Sequence, residues 1–314
     1  MTGKIIKGIG GFYYIHTTEG QVYSCRAVGI FRKLGIKPLV GDDAEFEIVH
    51  EKDMEGSLTK ILPRRNVLLR PAVSNVDQAM IVFAVREPDP NLNLLDRFLV
   101  HMGIQDIPVV IFFNKSDLDR GGRMEQYRRI YEQAGYRVIC GSTADAGTVQ
   151  EIRSALKGKT TVLAGPSGVG KSSLTNQLFD SARMEVGELS QRIKRGRQTT
   201  RHTELIALKQ EVPGTDRMQG KETADSCEDS YVLDTPGFTS LYLTRLGSQD
   251  LQQYFPEFRD HTENCRYTGC SHVGEGENIC GVRQAVKRGD ISRERYENYC
   301  QIYADLKAQE NTYR

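Results

Sequence analysis

The chain has 314 residues, of which 39% are hydrophobic and 26% are charged, and its formal net charge is +1 at pH 7. This length and composition predict a globular protein of two or three domains, and the net charge by itself indicates no partner. No apolar run approaches the roughly 18 to 20 residues that cross a bilayer, and the N-terminus lacks the apolar core of a signal peptide, so we predict a cytoplasmic protein.

The N-terminal segment contains short alternating stretches of apolar and polar residues separated by turns. Four or five short strands of this kind predict a small β-barrel, which we assign to residues 1–67. An OB-fold, a frequent nucleic-acid module, has this size, and so does an SH3-like barrel used only for protein contacts. The sequence leaves both alternatives open. The stretches cover residues 11–16, 21–26, 43–49 and 57–62.

From residue 70 onward, apolar runs alternate with amphipathic segments of helical length. This pattern is typical of βα units in a parallel sheet, and we assign residues 68–240 to one α/β domain. The predicted strands are residues 78–85, 109–113, 137–140, 160–164, 205–211 and 231–233. The predicted helices are residues 92–102, 124–134, 148–156 and 172–178.

Residues 114–117, with the sequence Asn-Lys-Ser-Asp, end the apolar strand 109–113. Their side chains are therefore expected at the carboxyl edge of the sheet, where open α/β sheets bind ligands. The aspartate can accept from the ring and exocyclic N–H groups of guanine, whereas adenine offers an acceptor at the ring position. The lysine stem can cover the base, and the asparagine can tie this loop to a phosphate loop. Ser142 is a weaker candidate for the base pocket. Alone, the motif also fits a polar helix cap.

Residues 165–172 read Gly-Pro-Ser-Gly-Val-Gly-Lys-Ser, after an apolar strand and before a predicted helix. This context predicts a phosphate-binding loop rather than a simple glycine turn. Gly165 and Gly170 let the backbone curl around phosphates, Lys171 reaches the β- and γ-phosphates, and Ser172 offers a hydroxyl to Mg²⁺. The residues predicted to bind the nucleotide are Asn114, Lys115, Asp117, Ser142, Gly165, Pro166, Ser167, Gly168, Val169, Gly170, Lys171, Ser172 and Ser173.

Two further elements are predicted to sense the γ-phosphate and Mg²⁺. Asp234 begins the sequence Asp-Thr-Pro-Gly after a short strand, which gives an acidic group at a strand end and, at Gly237, an N–H for the phosphate. An ordinary β-turn is the alternative. Thr200, in preference to Thr199, can complete the Mg²⁺ coordination. The predicted catalytic residues are therefore Lys171, Ser172, Thr200, Asp234 and Gly237, with Ser172 and Thr200 as magnesium ligands.

The order of these motifs is rotated, because the guanine motif precedes the phosphate loop instead of following it. GTPases often carry a glutamine directly after the Asp-x-x-Gly turn to orient water, but Phe238 occupies that position here. We therefore predict slow intrinsic turnover that needs a partner or another side chain. Gln198 and His202 are the candidate side chains.

Three cysteines and one histidine cluster near the C-terminus, in the pattern Cys-x4-Cys-Ser-His-x7-Cys. Three thiolates and one imidazole form a closed tetrahedral Zn²⁺ set with no open position for water, so the site is predicted to be structural. Free buried cysteines beside an incidental histidine are the alternative. We assign residues 241–314 to a mostly α-helical zinc-binding domain. The predicted ligands are Cys265, Cys270, His272 and Cys280.

Basic residues concentrate in residues 192–197 and at Arg201, around the threonines that would sense the γ-phosphate. A solvated loop and a nucleotide-gated contact with RNA phosphates are both compatible with this pattern. Other basic residues that would extend an RNA footprint are Arg64, Arg65, Arg70, Arg283, Lys287 and Arg288.

Together, the permuted motif order, the preceding barrel and the following Cys/Cys/His/Cys module resemble the small-ribosomal-subunit-dependent GTPase A family (RsgA, formerly YjeQ or YloQ), across nearly the whole chain. The resemblance implies an OB-fold, a circularly permuted GTPase domain and a zinc domain. It also implies GTP hydrolysis stimulated by the small ribosomal subunit in its late maturation, with rRNA contacts from the flanking domains. GTP or GDP, Mg²⁺ and one structural Zn²⁺ are the expected cofactors, and we expect a monomer without a membrane partner.

The sequence departs from the family pattern at two points. Gln198 stands where members commonly carry histidine, so this chain lacks any catalytic role that the histidine has in the family. The spacing from His272 to Cys280 is also slightly long, which a loop insertion explains. An RNA-binding module with a vestigial nucleotide site and a GTPase acting on a membrane or another protein are the competing functions. The intact motif residues argue against the first, and the lack of an amphipathic anchor argues against membrane work.

Overall fold

The computed structural model describes residues 1–29, 31, 35–69, 71–183, 203–208, 229–234, 243 and 246–312. The chain forms two compact units. The first unit comprises Met1–Gln78, Val149–Leu163 and Ser172–Pro236, and the second comprises Ala79–Thr148, Ala164–Lys171 and Gly237–Arg314. Among the described residues, no helix has both the length and the apolar character that a bilayer span requires.

The described residues form strands and helices with the following bounds. The strands are β1 (Thr2–Ile9), β2 (Phe12–His16), β3 (Val22–Ala27), β4 (Asp43–His50), β5 (Glu55–Ile61), β6 (Val67–Leu69), β7 (Ala72–Ser74), β8 (Gln78–Ala84), β9 (Val109–Asn114), β10 (Arg137–Cys140), β11 (Thr160–Ala164), β12 (Leu205–Leu208) and β13 (Ser230–Asp234). The helices are α1 (Leu92–Gly103), α2 (Arg123–Gln133), α3 (Ala146–Leu156), α4 (Lys171–Arg183), α5 (Arg259–Thr262), α6 (Gly281–Arg288) and α7 (Arg293–Thr312).

The first five strands close into a barrel in the order β1-β2-β3-β5-β4. Strand β3 pairs with β5 in parallel, and β1 closes the barrel by pairing antiparallel with β4. This five-stranded closed arrangement is that of an OB-fold and decides between the two barrels that the sequence left open. Alternating side chains fill its core, among them Ile5, Ile15, Cys25, Phe46 and Leu58.

Strand β1 has no counterpart among the predicted stretches, because glycines and lysines interrupt its apolar alternation. Its pairing with both β2 and β4, rather than its own sequence, places it in the barrel. The four other barrel strands overlap the predicted stretches.

The first unit also contains three strands of the α/β region. Strand β11 pairs in parallel with β13, and β12 pairs antiparallel with β13. The parallel direction expected for the strand at 205–211 is therefore wrong for the described strand β12. Because β12 and β13 follow one another along the chain and pair directly, they need no crossover helix. One contact between the barrel and this region is the hydrogen bond between His16 Nδ1 and the Tyr231 hydroxyl, at 2.9 Å.

In the second unit, β10, β9 and β8 are neighbours in that order and run in parallel. Every residue of β8 is buried, which is why its sequence reads as a continuous apolar run rather than as an alternating one. Helix α1 covers this sheet, and its Phe98 ring packs edge to face against Phe83, with 6.3 Å between the ring centroids.

A buried charged network joins α1 and α2 to α7 in the same unit. The Arg295 guanidinium is only 1% exposed and contacts Asp96 at 2.5 Å and Glu257 at 2.7 Å. The Asp96 carboxylate also accepts from the Tyr131 hydroxyl at 3.0 Å and from the Asn298 amide at 2.6 Å. Because each buried carboxylate has a cationic partner, the network ties the C-terminal helix to the helices that flank the predicted guanine motif.

Candidate nucleotide and metal sites

The phosphate loop follows β11 and leads into α4. Gly165 and Gly170 have φ values of 138° and 99°, which disfavour residues with a Cβ. A Cβ at Gly165 would clash with the Val82 carbonyl oxygen, and one at Gly170 would clash with the Asn114 amide. The loop therefore requires glycine at both positions, as a backbone that wraps closely around phosphate does.

The Lys171 ammonium lies inside the phosphate loop. It is 8% exposed and donates to the carbonyl oxygens of Gly165 at 2.9 Å and Pro166 at 2.7 Å. Ser172 and Ser173 follow it on the first turn of α4 and are exposed. The loop thus presents a cation and exposed hydroxyls at a helix N-terminus, which favours a bound polyphosphate.

Asn114 joins the guanine motif to the phosphate loop. Its Nδ2 donates to the Val169 carbonyl oxygen at 2.8 Å. Its Oδ1 accepts from the backbone N–H groups of Lys115 at 2.8 Å and Thr143 at 3.0 Å. Asn114 is 1% exposed, so these bonds are shielded from water. One side chain therefore fixes three loops that are distant along the chain.

The other residues of the predicted base site surround Asn114. Lys115 adopts a left-handed backbone conformation, with φ of 65°, and its Nζ donates to the Glu87 carbonyl oxygen. Asp117 lies on the 3-10 turn Ser116–Leu118 and is exposed. Ser142 is nearly buried, and its hydroxyl accepts from the Ala144 N–H at 3.3 Å. The Asp117 carboxylate is thus available to a ligand beside a rigid polar loop.

The backbone of Asp234 ends strand β13. It is the parallel partner of Leu163, which is two residues before Gly165 along the chain. Thr199, Thr200 and Gly237 lie outside the described residues, as do Gln198, His202 and Phe238. The basic segment 192–197 and Arg201 also lie outside them.

The four predicted metal ligands converge in the second unit. Their ligand atoms all lie within 4.8 Å of one another. His272 Nδ1 lies 3.6 Å from Cys265 Sγ and 3.4 Å from Cys280 Sγ. Zinc bonds of about 2.3 Å to sulfur and about 2.0 Å to nitrogen give a tetrahedral edge of about 3.6 Å. The donor set and the two distances from His272 Nδ1 therefore fit a tetrahedral Zn²⁺ ion.

The surroundings of the cluster also fit a cation. Burial raises the pKa of the Cys270 thiol to about 12, and burial likewise raises the pKa of Cys280. A divalent ion would offset the charge that burial disfavours on these thiolates. The backbone N–H of Gly281 donates to Cys265 Sγ at 3.3 Å, and that of Arg283 donates to Cys280 Sγ at 3.5 Å. Both bonds stabilise thiolate charge.

Gln252 orients the histidine ligand, a role that the sequence did not predict. Its Oε1 lies 2.8 Å from His272 Nε2. A proton on Nε2 donates to this oxygen and leaves Nδ1, the nitrogen that faces the cysteines, free to bind metal. The Tyr296 hydroxyl fixes the same loop by donating to the His272 carbonyl oxygen at 2.7 Å. Gln252 is 20 residues from His272 in the chain, so no local motif reveals the pair.

Replacing Gln252 with leucine is expected to lower zinc affinity about 10- to 100-fold, because the imidazole loses the bond that fixes its orientation and tautomer. Competition with a chromogenic chelator measures the change. Gln249→Leu is the matched control, since Gln249 lies on the same 3-10 helix, Ser248–Tyr254, as Gln252 but donates to the Tyr303 hydroxyl instead of contacting the histidine ligand. Equal zinc affinities of the Gln252 and Gln249 variants would contradict this role.

Several residues of the expected RNA footprint pair with acidic groups of the protein itself. Arg64 contacts Asp42 at 2.7 Å, and Arg65 contacts Asp77 at 2.5 Å. In the predicted zinc domain, Lys287 pairs with Glu277 at 2.9 Å and Arg288 pairs with Asp290 at 2.8 Å. Arg70 lies outside the described residues. The sequence alone therefore does not show whether a basic residue is available to RNA. The acidic partners of that residue in the fold must also be known.

Comparison with solved structures defines the class of the protein. The chain aligns with "The crystal structure of YloQ, a circularly permuted GTPase", at a TM-score of 0.75 and 35% identity, covering 98% of this chain and 95% of that one. It aligns equally with the crystal structure of YjeQ from Thermotoga maritima, at a TM-score of 0.76 and 30% identity, covering 97% and 98%. With its phosphate loop after the guanine motif, the protein is a circularly permuted P-loop GTPase.

Sequence comparison then gives the family. The model of the RsgA GTPase matches residues 61–244, and that of the RsgA N-terminal domain matches residues 2–57. The small ribosomal subunit biogenesis GTPase RsgA of Agathobacter rectalis is 45% identical over 317 residues, covering 98% of each chain. The protein of the same name from Alkaliphilus metalliredigens is 42% identical over 305 residues, covering 97% of each. The chain belongs to the RsgA GTPase family.

Proposed function

We propose that this protein binds GTP with Mg²⁺ and hydrolyses it to GDP and phosphate in late maturation of the small ribosomal subunit, with stimulation by that subunit. The bond from Asn114 to the Val169 carbonyl carries the proposal, because it joins the guanine motif to the phosphate loop in one site. We assign residues 1–67 to the OB-fold, 68–240 to the permuted GTPase domain and 241–314 to the zinc domain.

The roles of the nucleotide-binding residues follow from their chemistry. Lys171 and the loop N–H groups would hold the β- and γ-phosphates, and Lys115 would cover the base with its stem. Ser172 and Thr200 would ligate Mg²⁺, with Asp234 holding it through water and the Gly237 N–H sensing the γ-phosphate. When bound, Mg²⁺ would neutralise negative charge on the phosphates. A Zn²⁺ ion held by Cys265, Cys270, His272 and Cys280 would have a structural role, because four protein ligands would leave no open position for water.

Asp117 is expected to set base specificity. Its carboxylate pairs with two donors of guanine, the ring N–H and the exocyclic amino group. In Asp117→Asn, the amide offers one acceptor and one donor, which match xanthine, with its ring N–H and its carbonyl at the same edge. We expect GTP affinity to fall about 10- to 150-fold and XTP affinity to rise correspondingly, since hydrogen bonds to charged groups contribute about 1.5–3 kcal/mol each.

Equilibrium titration of both nucleotides into wild-type protein and the Asp117 variant measures this switch. Asp119→Asn is a useful comparison, because Asp119 caps α2 by accepting from the Met124 N–H at 3.0 Å and is not assigned to the base. That variant is expected to keep the wild-type preference for GTP. Unchanged preference in Asp117→Asn would remove Asp117 from the base site.

The partner of the proposed reaction is the small subunit, through its rRNA. The relatives from Agathobacter rectalis and Alkaliphilus metalliredigens are named for small ribosomal subunit biogenesis, and the chain covers them almost completely. An OB-fold at the N-terminus suits RNA binding. We propose a cytoplasmic monomer in which GTP orders the basic loop and fixes the zinc domain for docking on rRNA, and hydrolysis releases it.

Cosedimentation with purified small subunits tests this proposal. The full chain is expected to bind the subunits at least about tenfold more tightly with a non-hydrolysable GTP analogue than with GDP, because only the triphosphate offers a γ-phosphate to the proposed sensing residues. Large subunits serve as the control partner. Equal affinity of the two nucleotide forms would refute nucleotide-controlled docking, and absence of binding in both forms would refute the partner.

A further inference from the structure

The loop between the first two metal ligands, residues 266–269, holds an aromatic ring out into solvent. Tyr267 is 54% exposed, and of the large apolar side chains that are exposed in the described ranges it alone is aromatic. Metal ligands close the loop at both ends. Within it, the Cys270 N–H donates to the Tyr267 carbonyl at 3.3 Å, and the Arg266 N–H donates to the Ile279 carbonyl at 2.9 Å. The backbone on both sides of the ring is therefore fixed.

Arg266 places a cation beside this ring. Its guanidinium carbon lies 5.8 Å from the centroid of the Tyr267 ring. Within residues 246–312, no carboxylate pairs with Arg266, whereas Lys287 and Arg288 of the predicted zinc domain each pair with a carboxylate. The loop thus combines an exposed aromatic ring on a hydrogen-bonded backbone with a positive charge that has no carboxylate partner within residues 246–312.

This combination fits one nucleotide of an unpaired strand. Every base has a π-face that stacks on an aromatic side chain, and the adjoining phosphate is attracted to an arginine. A duplex hides the faces of its bases, so only an unstacked base can reach the ring. An apolar protein surface is a poorer occupant, because the loop neighbours Thr268 and Gly269 do not extend the ring into an apolar patch.

We propose that the Arg266–Tyr267 loop is a stacking site for an unpaired base of RNA. The proposal rests on the proposed function, since it takes the rRNA of the small subunit as the partner. The site reads no particular sequence, because stacking tolerates every base. It assigns one RNA contact of the predicted zinc domain to two particular residues, Arg266 and Tyr267.

Fluorescence anisotropy of a labelled 12-nucleotide single-stranded RNA, titrated with the zinc-loaded full chain, tests the site. Tyr267→Ala is expected to weaken binding about 5- to 150-fold, which is the range for loss of one base stack, and Tyr267→Phe to stay within about twofold of wild type. Arg266→Gln is expected to weaken binding and to reduce the slope of log affinity against log salt by about 0.7, as loss of one phosphate contact does.

Three controls isolate the stacking contribution. Ile104→Ala removes another exposed apolar side chain, 41% exposed and outside the metal loop, and is expected to bind RNA as wild type does. One bound zinc per chain in Tyr267→Ala shows that the loop keeps its metal. An RNA duplex of the same length is expected to bind wild type and Tyr267→Ala equally.

Equal affinity of Tyr267→Ala and wild type for the single strand would overturn the proposal, as would an equal loss on the duplex. Weaker binding of Tyr267→Ala to small subunits without weaker binding to the single strand would also overturn it, in favour of a protein contact. The proposed function fails separately, if wild type does not bind small subunits. If wild type binds them and Tyr267→Ala binds RNA and subunits equally well, only the stacking site fails.

Discussion

Lys171→Ala is expected to reduce GTP turnover at least about 100-fold. The Lys171 ammonium lies inside the phosphate loop, against the carbonyl oxygens of Gly165 and Pro166, and is the cation assigned to the β- and γ-phosphates. Removing one preorganised group that stabilises transition-state charge typically costs about 10²–10³ in kcat. Release of labelled phosphate under saturating small subunits measures the rate.

The matched control is Lys157→Ala, which removes an exposed lysine outside the nucleotide site. Its turnover is expected to equal that of wild type. Thermal unfolding of both variants separates a loss of chemistry from a loss of fold. Turnover within about threefold of wild type in a folded Lys171→Ala protein would mean that the phosphates bind elsewhere.

Arg295→Met is expected to lower the free energy of unfolding of the second unit by about 3–5 kcal/mol. The substitution keeps the side-chain volume but leaves the Asp96 and Glu257 carboxylates buried without their cation. Breaking a buried ion pair by removing one partner has this cost, because the remaining charge is desolvated and unpaired. Urea unfolding of the zinc-loaded protein measures the difference.

Two comparisons make this prediction specific. Arg293, two residues earlier on the same helix, has an 81% exposed side chain paired with Glu297, and Arg293→Met is expected to cost less than about 0.5 kcal/mol. A variant that combines Asp96→Leu, Glu257→Met and Arg295→Met with Tyr131→Phe and Asn298→Leu also removes the two donors to Asp96, and it is expected to recover most of the loss, since apolar replacement of a whole buried network is often neutral. Equal stability of Arg295→Met and Arg293→Met would contradict the structural role of the network.

Local sequence patterns were sufficient for the features whose residues are close in the chain. The α/β domain and its central strands follow from apolar runs, and the confirmed barrel follows from four alternating stretches. The sequence alone predicts the four metal ligands, because Cys265 and Cys280 are only fifteen residues apart. The glycine pattern located the phosphate loop, since glycine is required wherever a Cβ would clash, as at Gly165.

Local sequence patterns do not predict contacts between segments that are distant along the chain. Arg295 and Asp96 are 199 residues apart, and neither position belongs to a motif, so only the fold shows that they pair. Gln252 lies on the 3-10 helix Ser248–Tyr254, whose polar sequence is also typical of a solvent-exposed segment. The βα pattern that precedes strand β12 predicts a parallel strand, but direct pairing with β13 makes β12 antiparallel. In each case a tertiary contact decides what the local sequence leaves open.

Multiple-turnover GTP hydrolysis by the full chain, with and without purified small ribosomal subunits, tests the account most directly. We predict a rate well below about 10 s⁻¹ for the protein alone, because Phe238 cannot orient water, and an increase of about tenfold or more when subunits are added. Large subunits should give no increase. A rate that is unchanged by small subunits, or one that already reaches about 10 s⁻¹ without them, would contradict the account.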